Sequence, residues 1–91
     1  MVEVPVLAIE IGSPGDETLE KLDFYSRVGL AELLVVDRDD KTLRRWTLDR
    51  VTLVEQLPDS EGWHQLDSLD VRLATREERI VMVTPAGTTV V

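Results

Sequence analysis

The sequence predicts an α+β domain with one main helix packed on a mixed β-sheet and a C-terminal antiparallel meander. Three observations carry this reading. Residues 4–11 and 33–37 are continuous apolar runs, rich in β-branched residues and too short for helices, as expected of buried strands. Between them Leu19, Leu22, Tyr25 and Val28 recur at helical spacing. From Thr42 onward, short apolar-rich runs alternate with charged or Pro/Gly-containing turns, the pattern of a meander.

Pro5 suits a strand start, where a missing N–H does least harm. Ser13, Pro14 and Gly15 make a turn, and Asp16 and Glu17 place negative charge where a helix N-terminus favours it. Gly29 suits the position just past the helix end. Strand, helix and strand in this order form a right-handed crossover that sets residues 4–11 and 33–37 parallel. Residues 37–41 (DRDDK) form a charged turn. Residues 42–48 and 51–57 read as antiparallel strands joined at Asp49 and Arg50, and 58–62 as a loop. Further on, Leu69, Val71 and Leu73 share one face. Residues 79–84 follow a turn at Glu77 and Glu78, and residues 88–91 form a last short strand after Pro85, Ala86 and Gly87.

A chain of 91 residues is one domain, here 1–91, near the lower end of what buries a self-sufficient core. Pairing with a second copy is therefore expected, giving a homodimer. With no cysteine there is no disulfide framework, thiolate zinc site or Cys nucleophile. No apolar run approaches membrane-span length and no signal-peptide pattern opens the chain, so the expected location is cytoplasmic, with no membrane partner. The net charge of −8 does not support a broad nucleic-acid footprint, which needs clustered Lys and Arg.

Glu10 is an acid inside an apolar strand, and burying an unpaired carboxylate is expensive. It is either a metal ligand or an edge residue facing solvent. Lys21 is either a site cation or the partner of Glu17 in an i,i+4 helix pair. Tyr25 reads as a core or boundary residue, and Ser13 as a turn former, since the lone His64 lies far off in a loop. Trp46 and Trp63 read as core caps ahead of base-stacking platforms. Arg44, Arg45 and Arg50 read as charge compensation ahead of a phosphate contact. Asp37, Asp39 and Asp40 lack the glycine and terminal Glu of a calcium loop.

Taken in order, Glu10, Ser13-Pro14, Asp16, Lys21, Tyr25, Gly29 and Val36-Asp37, followed by Arg45 to Leu48, resemble the Uma-type restriction-endonuclease-like family of the PD-(D/E)XK nuclease superfamily. The likeness spans roughly residues 4–48, leaving 49–91 as a β-rich C-terminal part. It implies a restriction-endonuclease-like core and phosphodiester hydrolysis, with Glu10 holding Mg²⁺ and Lys21 contacting the phosphate. The superfamily's usual lysine position, two residues after the acid, is Gly12 here. The family's Pro-Asp is Pro5-Val6, and position 6 stands roughly 13 Å from residue 10 along a strand, too far to share a metal. A second carboxylate must therefore come from a neighbouring strand, from Asp37 or from another subunit. The family's own Pro-Asp strand lies upstream, before a chain that begins here at Met1.

The expectation is thus a degenerate or truncated PD-(D/E)XK nuclease-like core fragment without a complete metal centre, taking Mg²⁺ only if active. The alternatives are an active Mg-dependent endonuclease completed by a partner chain and a small non-enzymatic interaction or dimerisation protein.

Overall fold

The computed structural model describes residues 6–12 and 16–91, with the side chains of 16–19 left aside. Val4, Pro5, the 13–15 turn and the Asp16 and Glu17 side chains lie outside the described residues. The elements run β1 (Leu7–Gly12), α1 (Asp16–Val28), β2 (Glu32–Asp37), β3 (Leu43–Asp49), β4 (Thr52–Gln56), β5 (His64–Gln65), β6 (Arg72–Arg76), β7 (Arg79–Thr84) and β8 (Gly87–Val90). The fold is α+β, and its strands form two four-stranded sheets, ordered β1-β2-β3-β4 and β5-β6-β7-β8.

The first sheet is mixed. β1 and β2 are parallel, with Glu10 beside Val35, while β2, β3 and β4 are antiparallel. The helix between β1 and β2 ends where its sequence dictates. Gly29 takes φ +80°, its N–H bonds the Ser26 carbonyl at 3.2 Å, and the Leu30 N–H reaches back to Tyr25 at 3.0 Å. These two bonds make a Schellman stop, and the residue after the glycine, Leu30, is fully buried. Ser26 clips the helix to β4, because its Oγ accepts the Leu53 N–H at 3.0 Å.

β2 is buried along nearly its whole length, so its alternating residues feed two cores. Leu33 and Val35 face the helix with Trp46, Leu53 and, partly, Leu22 and Tyr25. Leu34 and Val36 face the second sheet with Leu43, Leu66, Leu73 and Ile80. The C-terminal meander is therefore a sheet of its own that closes the face opposite the helix. Two expectations are corrected here. His64 is not in a loop: it opens β5 and is 5% exposed. Leu69 does not share the buried face of Leu73, since it precedes β6 and is half exposed.

The two sheets are joined by a buried charge. Glu32, 1% exposed, opens β2 and receives the Arg45 guanidinium at 2.7 Å. It also accepts the N–H of Asp67 at 2.9 and 3.1 Å and of Ser68 at 3.0 Å, from the loop between β5 and β6. Burial alone pushes the Glu32 carboxyl up, but the Asp67 and Ser68 amides, the Ser68 hydroxyl and Arg45 outweigh it and hold the group below 4.5. The reading of Arg44 and Arg45 as charge compensation fits their pairing. Arg44 lies over Trp46 and forks onto Glu55 at 2.8 and 2.9 Å.

Glu32→Ala leaves Arg45 and two loop amides without their acceptor, so a urea midpoint should show a loss of about 3–5 kcal/mol. Arg44→Ala, at a partly exposed pair, should cost under about 1 kcal/mol. Acid should act in two stages. Burial first, then the Arg45 charge, holds His64 below 6.5 against the Leu43 carbonyl, Glu55 and Asp59. The unfolded chain therefore takes up that proton first, and stability falls as pH drops below 6.5. The Glu32 contribution is present above 4.5 and is lost as pH falls through its lowered folded value. His64→Gln should remove the first stage of a pH-stability curve and leave the second.

Candidate functional site

Residues 8 and 10 of β1 share one face, and Ala8 packs with the core beneath the helix, so the Glu10 side chain points toward α1. Lys21 and Tyr25 lie one helical turn apart on the same side of α1, which carries both over β1. The Tyr25 hydroxyl donates to Glu10 Oε1 at 2.7 Å and the Lys21 ammonium to the same oxygen at 3.3 Å. The Glu10 side chain is 23% exposed and that of Lys21 50%. The structure thus brings together Glu10 and Lys21 and adds Tyr25, which the sequence reading placed only at the core boundary. Tyr25 does both, packing on the helix-side core with its ring and meeting Glu10 with its tip. The signal for its role was its i,i+4 spacing from Lys21. The Glu17 alternative for Lys21 lies outside the described side chains.

The Lys21 charge contributes little energetically to the Glu10 cluster. An ion pair with one partner half in water contributes under about 1 kcal/mol. The effect of Glu10 on Tyr25 is more telling. The hydrogen bond to Glu10, then burial, then the Glu10 charge all raise the phenol above 10.0.

Asp37 ends β2 beside Gly12, so its side chain shares the Glu10 face as a diagonal neighbour. Its Oδ1, however, accepts the N–H of Asp39 at 2.8 Å and of Asp40 at 3.4 Å, and Asp40 in turn accepts the Thr42 N–H at 2.8 Å. The three aspartates are turn formers. Among the described residues no three His, Cys, Asp or Glu side chains gather to hold a metal ion. Mg²⁺ needs near-octahedral oxygen ligands, and one carboxylate oxygen shared by an ammonium and a phenol does not supply them. The described residues do not fit a resident metal. Elsewhere among the described residues, clefts of about 340 and 220 Å³ are lined by Gln65, Arg72 and Thr84 and by Leu43, His64 and Arg76.

Trp46 is 3% exposed in the helix-side core, as a core residue should be. Trp63 is half-buried beneath the guanidinium groups of Arg72 and Arg76, at 4.6 and 5.2 Å from its ring centre. Among the described residues no helix is long and apolar enough to cross a membrane.

A parallel strand pair bridged by a helix thus carries an acid on the strand met by a lysine and a tyrosine from the helix, within an α+β fold. The chain belongs to the Uma2 family, described as "Putative restriction endonuclease", whose family model matches residues 1–84. No curated protein and no solved structure gives a significant match.

This protein has a single tyrosine, so its ionisation reads the site directly. Glu10→Gln should move the ultraviolet tyrosinate transition down toward 10.0, because the charge is removed and the phenol keeps at most a weaker, neutral acceptor. A transition unchanged in that variant would mean the Tyr25–Glu10 bond is not populated in solution.

Proposed function

We propose that this chain is a nuclease-like domain of the Uma2 family that keeps the Glu10–Lys21–Tyr25 framework without a complete metal centre. The observation that carries this reading is the convergence of Lys21 and Tyr25 on one oxygen, Glu10 Oε1. A carboxylate answered by an ammonium and a phenol is already compensated, and a divalent cation binding there competes with the Lys21 charge. Lys21, half exposed beside Glu10, is the group that would meet an incoming phosphate. By itself it positions a phosphate and activates no water, because generating a nucleophile needs a metal or a free general base. The domain then binds weakly and does not cleave on its own.

A second reading, an Mg-dependent endonuclease completed by a partner chain, is favoured by one feature. Glu10 lies on β1, which is at the edge of its sheet among the described residues, where an added strand brings a new side chain beside it.

Titration calorimetry with Mg²⁺ and with Mn²⁺, together with cleavage of plasmid DNA and of single-stranded oligonucleotides, separates the two. The first reading expects no saturable heat and no cleavage above that of Glu10→Gln. Metal-dependent cleavage abolished by Glu10→Gln overturns it in favour of the second.

A further inference from the structure

We propose that the cleft of about 220 Å³ between the start of β3, the 58–62 loop and the end of β6 is a binding site for a phosphate group, held by Arg76 and His64.

The loop walls one side of the cleft, and its own bonds lock its shape. Asp59 Oδ1 accepts the N–H of Glu61 and of Trp63 at 2.9 Å each. The Asp59 carbonyl accepts the Gly62 N–H at 3.0 Å, and the Trp63 carbonyl accepts the Asp59 N–H at 3.0 Å. Gly62 takes φ +87°, and a Cβ there would stand 3.2 Å from Arg76 Nη1, so a side chain at this position would crowd the guanidinium. Arg76 is fixed from three sides. Its Nη1 donates to the Thr75 carbonyl at 3.1 Å and its Nη2 to the Glu61 carbonyl at 2.5 Å, while the group lies 5.2 Å from the Trp63 ring centre. These bonds occupy two of the five N–H donors of a guanidinium. The others remain on a cation whose orientation is already set, so little side-chain entropy is left to lose when an anion arrives.

Charge points the same way. The chain carries 18 Asp and Glu against 10 Lys and Arg, yet no acid lines this cleft. Arg44 and Arg45 are paired with Glu55 and Glu32, whereas Arg76 enters no ion pair among the described residues. An arginine left unpaired among so many carboxylates, in a cleft that none of them lines, fits an external anion.

His64 decides which anion. It lines the cleft, is 5% exposed, and its Nδ1 has no hydrogen-bond partner among the described residues. Burial, then the Arg45 charge, keeps the imidazole neutral at pH 7. A neutral imidazole offers one N–H and one lone pair. An ionised carboxylate or sulfate can only accept. A phosphate group, with its second ionisation at about 6, keeps a P–OH in part of its population near neutral pH. It can therefore accept from Arg76 and meet the imidazole as donor or acceptor.

The chain has one histidine, so its ring-proton NMR resonance reports on the cleft directly. Titrating the full chain with inorganic phosphate at pH 7 and constant ionic strength should shift that resonance saturably. Saturating phosphate should also raise the His64 titration midpoint, because a bound anion favours the imidazolium. Arg45 from β3, Glu55 from β4, Asp59 from the loop and Arg76 from β6 are the other charges around the ring, and they stay constant in this comparison. Arg76→Gln should weaken phosphate binding roughly tenfold or more. Arg72→Gln removes the other guanidinium over Trp63, which lines the other cleft, and should leave the affinity unchanged. Glycerol phosphate in a parallel titration separates the sources: tighter binding than inorganic phosphate identifies a phosphomonoester as ligand, and weaker binding identifies free phosphate. Absence of a saturable shift overturns the proposal, as does an equal response to sulfate or an equal loss in Arg72→Gln.

Discussion

The carboxylate of Glu32 is the constraint on which the two-sheet arrangement depends. It is almost wholly excluded from water, so its charge must be answered inside the protein. The answers come from two directions: Arg45 from the next strand of its own sheet, and the Asp67 and Ser68 amides from the other sheet's loop. The apolar contacts of Leu34, Val36, Leu66, Leu73 and Ile80 drive the sheets together without fixing how they sit. The Asp67 and Ser68 amides, both bonded to this one carboxylate, fix it. Such a group is weak evidence of net stability and good evidence of a single packing solution. The surrounding polar groups are less well served. Arg45 Nε and His64 Nδ1 are buried without a hydrogen-bond partner among the described residues, a cost that lies close to the junction's strongest bonds.

Two carboxylates on the first sheet show how environment separates structure from chemistry. Glu32 is sealed, accepts several donors and cannot be approached. Glu10 lies at the edge strand, retains access to solvent, and is met by a lysine and a tyrosine on a single oxygen. Only the second arrangement has freedom to exchange a partner for a ligand. The same ion-pair chemistry is therefore architectural at one end of the sheet and available at the other. The difference is set by which strand is central and which is at the edge.

The parallel β1–α1–β2 unit was legible because its signals are local: apolar runs of strand length, helical spacing from Leu19 to Val28, and a glycine at the helix end. Residues 79–84 were equally plain between the Glu77-Glu78 turn and Pro85. Glu32 was not, because nothing nearby marks it; its loop partners are thirty-five and thirty-six residues away. The apolar run begins at Leu33, and an acid just before it reads as surface. His64 was missed for a related reason. A two-residue strand has no periodicity to detect, and its burial is decided by Leu43 and Leu73 arriving from elsewhere. At the Glu10 site, the residues were legible and their convergence was not, since a helix turn decides whether Lys21 faces along the helix or across to β1.

The exposure of β1 follows from the same junction. Glu32 anchors the second sheet at the 67–68 loop, and the apolar face that sheet covers centres on β2 and β3. Leu7 is reached by this cover, whereas Ile9 and Ile11, further along β1, are left exposed. The helix covers the opposite face, with Ser26 tying it toward β4 and Lys21 and Tyr25 tying it toward β1. Among the described strands, a sheet held from both faces at its centre leaves β1 at its margin. That marginal strand is the one that carries the acid. Glu10 therefore stands where the two covering layers give the sheet its least shelter, with Lys21 and Tyr25 of the helix as its described partners.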